Sequence, residues 1–152
     1  MNTKKQLKVS ALKNGTVIDH IPANSLFTVI SILGLDKIEN QITFGTNLES
    51  HKLGSKAIIK ISEKYFEDDD INRIALVAPT AKLNIIKDYK VVEKTSVELP
   101  EIIVGIAKCF NPNCITNKDK VSSRFYVVDK NKIKLRCHYC EKITDREHLE
   151  IH

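Results

Sequence analysis

The chain has 152 residues, of which 42% are hydrophobic and 6% aromatic, and its formal net charge is +5. This length fits one domain or two small ones with a modest aliphatic core. No apolar run approaches the roughly 20 residues that a membrane-spanning helix needs, and the polar, basic start is unlike a secretory signal. We therefore expect a cytoplasmic protein without a membrane partner. Acidic residues are interspersed with basic ones, so the charge does not indicate a nucleic-acid partner.

Strand and helix patterns alternate through the first part of the chain. Residues 7–12 alternate like a half-buried strand, Asn14-Gly15 indicates a hairpin turn, and residues 17–21 form the predicted returning strand before Pro22. Apolar residues at helical spacing predict a helix over residues 26–33, with Asn24 or Ser25 as its N-terminal cap and Gly34 after its end. Residues 41–47 and 56–62 are predicted strands, joined by a loop over residues 48–55.

A second helix is predicted over residues 68–78, because three aspartates favour its N-terminus and Pro79 ends it. Residues 81–86 and 89–94 supply two more strands. This order predicts an α+β fold, a ferredoxin-like α/β sandwich with a mostly antiparallel sheet and two helices on one face. We place the end of this first domain at residue 98. Residues 99–152 then form a small β-rich domain of zinc-ribbon or rubredoxin-like type, with short strands over residues 121–128 and 132–135.

All four cysteines lie in the second domain, as the pairs Cys109-x4-Cys114 and Cys137-x2-Cys140. Two closely spaced pairs can supply the four thiolates that a structural zinc ion binds at about 2.3 Å. Two disulfides are the alternative, but a chain in a reducing compartment keeps its thiols. We expect one structural zinc ion per chain. Because four sulfurs close the coordination shell, catalysis at this metal is not expected.

A few polar residues interrupt the apolar strands of the first domain. Asp19 and His20 precede Pro22, Lys60 lies within a run of isoleucines, and Lys94 ends a predicted strand. Taken singly, each of these residues is explained by a structural role or by exposure to solvent. Taken together, the two lysines and His20 could hold phosphates, and Asp19 could contact hydroxyl or amine groups. Asp19 and His20 face opposite ways in a regular strand, so contact with one ligand requires a bend near Pro22.

No catalytic motif is present, since the sequence has no nucleophile elbow, no Walker loop and no dinucleotide fingerprint. His148-Leu149-Glu150 matches the start of the zinc-deaminase signature, but it follows both cysteine pairs instead of preceding them, so we attribute it to chance. We predict that the chain is not itself an enzyme. Turnover of a nucleotide by the isolated chain would show the opposite.

The sequence resembles the regulatory chain of aspartate carbamoyltransferase essentially from end to end. The matching segments are Gly15-Thr16-Val17-Ile18-Asp19-His20-Ile21-Pro22-Ala23, Ile59-Lys60-Ile61, Ala75-Leu76-Val77-Ala78-Pro79, Leu99-Pro100-Glu101, the four-cysteine pattern, Val121-Ser122-Ser123 and Tyr139-Cys140-Glu141-Lys142. The resemblance implies a first domain that binds the effectors CTP, ATP and UTP and a zinc domain that docks on the catalytic chain. It also implies regulatory dimers, three of which bridge two catalytic trimers, and feedback control of pyrimidine biosynthesis.

The resemblance further implies which residues hold the nucleotide. Asp19 and Lys60 are expected to contact ribose and base, and His20 and Lys94 to hold the phosphates. The residues expected to frame the base or lie near the ligand are Ala11, Leu12, Val17, Lys56, Asn84, Tyr89 and Val91. Asn111 and Asn113, in the first cysteine loop, are expected near the contact with the catalytic chain.

A zinc-ribbon nucleic-acid-binding protein is the main alternative that the sequence leaves open. It shares the four-cysteine module and the excess of basic residues. It requires exposed aromatic side chains for stacking on bases, and Phe110, Phe125, Tyr126 and Tyr139 are the candidates. The packing of a small core explains the same aromatic residues equally well.

Overall fold

A computed structural model of the protein describes residues 11–152. The chain forms two compact units that divide between Val97 and Glu98. Each unit has its own buried core. No helix in the described range is long and apolar enough to cross a membrane.

Over residues 11–97, the first unit contains a five-stranded sheet and two α-helices. Its elements are β1 (Gly15–Pro22), a 3-10 helix (Ala23–Ser25), α1 (Leu26–Ile32), a second 3-10 helix (Leu35–Lys37), β2 (Ile42–Ser50), β3 (Gly54–Ser62), α2 (Asp68–Val77), β4 (Lys82–Lys87) and β5 (Lys90–Ser96). All paired strands are antiparallel, and the sheet order is β2-β3-β1-β4-β5. The order β2-β3-β1-β4 is that of the ferredoxin-like sandwich, so the predicted α+β fold is confirmed, with β5 added at one edge.

Alternating burial along the strands separates the two faces of this sheet. Ile18, Ile59 and Leu83 are buried and lie beside one another in the strand register. The buried side chains of the helices, among them Leu26 and Ile74, complete this core. Because side chains alternate in a strand, the residues between these buried positions point to the opposite face of the sheet.

Three details of the first unit differ from the sequence-based prediction. The loop predicted over residues 48–55 is mostly strand, because β2 continues to Ser50 and β3 begins at Gly54. Ser25 lies at the N-cap of α1, but neither it nor Asn24 provides a side-chain cap, since a 3-10 helix already leads into α1. Residues 7–10 of the first predicted strand lie outside the described residues, and Ala11 and Leu12 belong to no regular element.

The second unit is built from short strands. Its elements are β6 (Ile102–Val104), β7 (Ala107–Lys108), α3 (Ile115–Lys118), β8 (Arg124–Asp129), β9 (Lys134–Cys137), β10 (Ile143–Thr144), a 3-10 helix (Arg146–His148) and β11 (Glu150–Ile151). One sheet has the order β10-β9-β8-β6, and β11 pairs with β7. Phe125, Ile103, Ile133 and Leu135 are buried in its core. The small β-rich domain is therefore confirmed, although β6, β7, β10 and β11 were not predicted.

Candidate functional site

The four predicted metal ligands converge in the second unit. The sulfur atoms of Cys109, Cys114, Cys137 and Cys140 all lie within 4.8 Å of one another. Cys109 and Cys140 are 3.6 Å apart at their sulfurs, as are Cys114 and Cys137. A tetrahedral ion bonded to four sulfurs at about 2.3 Å would separate them by about 3.8 Å. The donor set therefore fits one closed, four-coordinate metal centre.

Local hydrogen bonds shape the two loops that carry the cysteines. In the first loop, the amide of Asn117 donates to the carbonyl oxygens of Cys109 and Asn111, each at 2.8 Å. In the second loop, the backbone N–H of Cys137 donates to the carbonyl oxygen of Lys142 at 3.0 Å. The hydroxyl of Thr116 lies 3.2 Å from the sulfur of Cys114. These bonds shape each loop by short-range contacts, so the two sulfurs of each pair are positioned by residues close to them in the sequence.

The acidity of the cysteines shows why this cluster suits a cation. Burial raises the pKa of Cys109, and the neighbouring Cys137 and Cys114 sulfurs raise it further. Burial also raises the pKa of Cys137. Burial acts against ionisation of Cys140 too, but a hydrogen bond from the Lys142 backbone N–H and others from side chains lower its pKa to about 7. Four sulfurs this close together, three of them on buried residues, cannot all ionise unless a positive ion compensates them, and zinc prefers this donor set.

A second group of predicted residues forms a row across the sheet of the first unit. In the strand register, Lys60 of β3 lies opposite Val17 of β1, Val17 lies opposite Asn84 of β4, and Asn84 lies opposite Lys94 of β5. Residues directly opposite one another share a face of the sheet. This face is the one turned away from the core formed by Ile18 and its neighbours. Four of the predicted nucleotide contacts are thus cross-strand neighbours, although they lie far apart in the sequence.

An irregularity in β1 brings Asp19 and His20 to the same place. The register of β1 against β3 shifts between Ile18 and Ile21, and His20 has a φ of +58°. The carbonyl oxygen of His20 accepts a hydrogen bond of 2.8 Å from the Thr80 hydroxyl, which holds the bulge. A β-bulge redirects side chains that would otherwise alternate. The bend that a shared ligand requires is therefore present, two residues before Pro22.

A cavity of about 310 Å³ opens at this bulge, within the range of small-molecule sites. Its lining residues are Asp19, His20, Lys82, Asn84, Lys94, Thr95 and Ser96. The sequence did not single out Lys82, Thr95 and Ser96. Strand alternation could have found two of them, because Lys82 is two residues before Asn84 and Ser96 two residues after Lys94.

The charges around the cavity are only partly compensated. The Lys56 ammonium lies 3.0 Å from one carboxylate oxygen of Asp19, and the same oxygen accepts a hydrogen bond of 2.6 Å from the His20 backbone N–H. The His20 Nδ1 is 3.5 Å from the other carboxylate oxygen, too long for a good hydrogen bond, so this buried atom lacks a partner among the described residues. Lys60 on β3 is not one of the lining residues of the cavity, and burial lowers the pKa of its ammonium. The site therefore combines one engaged carboxylate with several cations.

The residues expected to frame a base lie toward the turn between β4 and β5. The backbone N–H of Tyr89 donates to the carbonyl oxygen of Lys13 at 2.9 Å, and Asn14 accepts from the Asp88 N–H. These bonds tie the turn to the segment that follows Ala11 and Leu12. Tyr89 is 64% exposed and Val91 48% exposed, so both offer apolar surface to a ligand. Ala11, Leu12, Tyr89 and Val91 are not among the residues that line the cavity at the bulge.

Comparison with known protein families covers both units. The model of the aspartate carbamoyltransferase regulatory chain, allosteric domain, matches residues 7–98. The model of the metal binding domain of the same chain matches residues 101–150. This chain belongs to the aspartate carbamoyltransferase regulatory chain family.

Individual relatives are similar to this chain over nearly their whole length. The aspartate carbamoyltransferase regulatory chain of Parabacteroides distasonis is 55% identical over 148 residues, covering 97% of this chain and 96% of the relative. The chain of the same name from Pyrococcus horikoshii is 55% identical over 146 residues, covering 95% and 96%. The resemblance stated from the sequence is therefore confirmed. Because these relatives are named regulatory chains, they also agree with the prediction that this chain is not the enzyme.

The metal-binding prediction is likewise confirmed at the level of the domain. The matched family is described as metal binding, and the four cysteines cluster within its boundaries. The alternative of a nucleic-acid-binding zinc ribbon is not favoured. Of the aromatic side chains that it would use, Phe125 is fully buried, whereas Phe110 and Tyr139 are 55% and 44% exposed. The family matches over both units, not the exposure of the aromatic residues, therefore decide against it.

Proposed function

We propose that this chain is the non-catalytic regulatory subunit of a cytoplasmic aspartate carbamoyltransferase. Its first unit binds the nucleotide effectors CTP, ATP and UTP, and its second unit, closed by one zinc ion, docks on the catalytic chain. The observation that carries the proposal is the match of both family models, in order, over residues 7–98 and 101–150. Through this subunit, the end products of nucleotide synthesis control the first committed enzyme of the pyrimidine pathway.

The cavity at the β1 bulge supports the effector role. Its residues Asn84 and Lys94 belong to the cross-strand row that also contains Lys60 and Val17. Lysine ammonium groups and the imidazole of His20 suit phosphate oxygens, whereas carboxylate and amide groups suit hydroxyl and amine groups of a nucleoside. We assign the phosphates to His20 and Lys94, and the ribose and base to Asp19 and Lys60. Ala11, Leu12, Tyr89 and Val91 frame the base on the side of the β4–β5 turn.

The metal centre supports the docking role. A closed four-thiolate site holds its loops in one geometry and leaves no position for a substrate. Asn111 and Asn113 lie in the first cysteine loop, where the Asn113 N–H donates to the Asn111 side chain at 3.1 Å. We propose that this loop contacts the catalytic chain. Regulatory chains pair through their first units, and three such pairs bridge two catalytic trimers.

Control without catalysis needs only a difference in affinity between two states of the complex. A nucleotide that binds one state more tightly shifts the equilibrium toward it, with a typical coupling free energy of about 1–3 kcal/mol. This corresponds to a change in apparent substrate affinity of roughly 5–150-fold.

Reconstitution with the catalytic chain of the source organism tests the proposal. We expect the zinc-loaded protein to co-elute with the catalytic trimer in size-exclusion chromatography, and a Cys114→Ala variant or chelated protein not to. Aspartate saturation curves of the reconstituted complex should shift when CTP or ATP is added, whereas those of the isolated trimer should not. Normal assembly of the Cys114→Ala variant, or a complex indifferent to both nucleotides, would contradict the proposal.

A further inference from the structure

The cavity at the β1 bulge contains a lysine that no part of the foregoing assignment uses. Lys82 begins β4, lies directly opposite Asp19 in the register of β1 and β4, and lines the cavity. On its other side it lies opposite Ser96 of β5. Its side chain is half-buried and on the same face as Asn84, two residues further along the strand.

Among the residues that the structure describes, Lys82 has no ion-pair partner of its own. Asp19, the nearest carboxylate by register, is engaged by the Lys56 ammonium at 3.0 Å and by the His20 backbone N–H at 2.6 Å. Within residues 11–152, neither Lys82 nor Lys94 forms an ion pair. Two ammonium groups thus line one small cavity whose carboxylate, Asp19, is already paired with Lys56. A bound polyanion would supply a compensating charge.

The relative placement of these two lysines fits a chain of phosphates. Lys94 lies opposite Asn84 and Lys82 lies opposite Ser96, so the two lysines are diagonal neighbours on adjacent strands. Diagonal positions of an antiparallel pair are about 7–8 Å apart, a distance that flexible lysine side chains can span from both sides of a diphosphate or triphosphate. A di- or triphosphate offers separate anionic groups to the two ammonium groups, whereas a monophosphate offers one.

We propose that Lys82 is a further phosphate-binding residue that, with Lys94, makes the site selective for nucleoside triphosphates over monophosphates. This inference rests on the proposed effector role of the first unit. Lys94 and His20 hold one part of the phosphate chain, and Lys82 holds the part nearest the Asp19–Lys56 pair. Lys56 contributes less to the ligand because its charge is already compensated.

The test measures the affinity of the full, zinc-loaded chain for CTP and for cytidine monophosphate by titration calorimetry. Lys82→Ala should weaken CTP binding about tenfold or more, since a charged hydrogen bond is lost, and change the affinity for the monophosphate less than threefold. Lys82→Arg should retain most of the CTP affinity. Lys94→Ala should resemble Lys82→Ala. Lys37→Ala, which removes an exposed charge from the second 3-10 helix, is the matched control and should bind CTP normally.

Two further measurements separate the possible outcomes. Inorganic tripolyphosphate should compete with CTP on the wild-type protein more effectively than on Lys82→Ala. The salt dependence of CTP binding should be shallower for Lys82→Ala than for Lys37→Ala, because one fewer cation contacts the ligand. Circular dichroism and thermal unfolding confirm that each variant is folded, and Lys82→Gln provides a second, more polar replacement.

The results distinguish this inference from the function on which it rests. If the wild-type chain binds CTP but Lys82→Ala and Lys82→Gln bind it within twofold of the wild type, Lys82 is not a phosphate contact and only this inference is wrong. Equal weakening of CTP and the monophosphate would also overturn it, because it would indicate a general effect on the site. A wild-type chain that binds no nucleotide would overturn both the effector role and the assignment of Lys82.

Discussion

At the scale of single residues, Lys60 illustrates the cost of placing a charge on the sheet. Burial lowers the pKa of its ammonium from the ordinary value of 10.5. The folded protein therefore holds this proton less tightly than the unfolded chain, and the cost of burying the charge is present at every pH below the lowered pKa. As the pH rises from the lowered pKa toward 10.5, the unfolded chain binds more protons than the folded one. Lys60 alone thus makes the free energy of unfolding rise with pH in that window.

We expect Lys60→Met to increase the free energy of unfolding at neutral pH by about 0.5–1 kcal/mol, because the half-buried charge is removed and solvent screens part of its cost. The gain should shrink as the pH approaches 10.5. Urea denaturation of the wild type and the variant at several pH values measures the difference. The same variant should bind CTP more weakly. A stability difference that stays constant with pH would show that the buried charge is not its cause.

Single residues also show how far sequence patterns can reach into the site. Because side chains alternate along a strand, Lys82 and Asn84 lie on the same face of β4, and the sequence alone contains this information. The ion pair between Lys56 and Asp19 could not be predicted in the same way. It depends on the alignment of β1 with β3, which a turn, a bulge and a helix crossing jointly determine.

At the scale of elements, the start of β1 depends on a glycine. Gly15 has a φ of +146°, and a Cβ atom there would overlap the carbonyl oxygen of Ile61 on the neighbouring strand. Gly54, at the start of β3, also has a positive φ of +75°, but no atom lies within 4 Å of its Cβ position. A substitution at Gly54 therefore measures the cost of backbone strain alone, whereas one at Gly15 adds the cost of a steric clash.

We expect Gly54→Ala to reduce the free energy of unfolding by about 1–2 kcal/mol, since only the left-handed backbone conformation is penalised. Gly15→Ala should reduce it by about 3 kcal/mol or more, because β1 must also move away from β3. Urea denaturation monitored by circular dichroism gives both values. Equal losses for the two variants would show that the close approach of β1 to β3 is relieved without cost. Movement of β1 should also weaken CTP binding, as Asp19 and His20 lie on the same strand.

The bulge in β1 is the element-scale feature that decides the site. A regular strand would place Asp19 and His20 on opposite faces, and alternation predicts only that. The positive φ of His20 and the hydrogen bond from Thr80 resolve the conflict. Thr80 follows α2 in the chain, so the bulge depends on where that helix ends. Bulges near binding sites commonly redirect side chains in this manner.

At the scale of the whole molecule, the two units depend on different sources of stability. The second unit, Glu98–His152, is small, and four of its buried or half-buried residues are the cysteines of the metal centre. A domain of this size buries too little apolar surface to be comfortably stable without a metal or a disulfide. Binding of structural zinc contributes about 10–16 kcal/mol in small zinc-finger peptides, which is comparable to the whole stability of a domain. The first unit contains none of these ligands.

We expect chelation of the metal under reducing conditions to unfold the second unit and leave the first folded. Thermal unfolding of the chelated protein should lose one transition, while CTP binding, measured by calorimetry, should stay within about twofold of the untreated protein. A Cys137→Ser variant should behave like the chelated wild type. Loss of CTP binding together with the metal would show that the first unit requires the second in order to fold.

The sequence by itself determined the elements whose cause is local. Cysteine spacing predicted the metal cluster because each pair lies on one short loop, and apolar periodicity predicted α2 and the main strands of the first unit. The family followed from motifs that run along the whole chain. Of the first predicted strand, residues 7–10 are not described and stay a prediction, whereas Ala11 and Leu12 lie in no strand.

Tertiary structure alone decided the features that depend on distant segments. The short strands β6, β7, β10 and β11 exist because a partner strand satisfies their backbone hydrogen bonds, and their two or three residues are too few for a periodic pattern. The convergence of Asp19, His20, Lys82 and Lys94 on one cavity likewise required the sheet order, the register and the bulge. Side chains that share a face through cross-strand pairing come from different parts of the chain, and their proximity is a property of the assembled sheet.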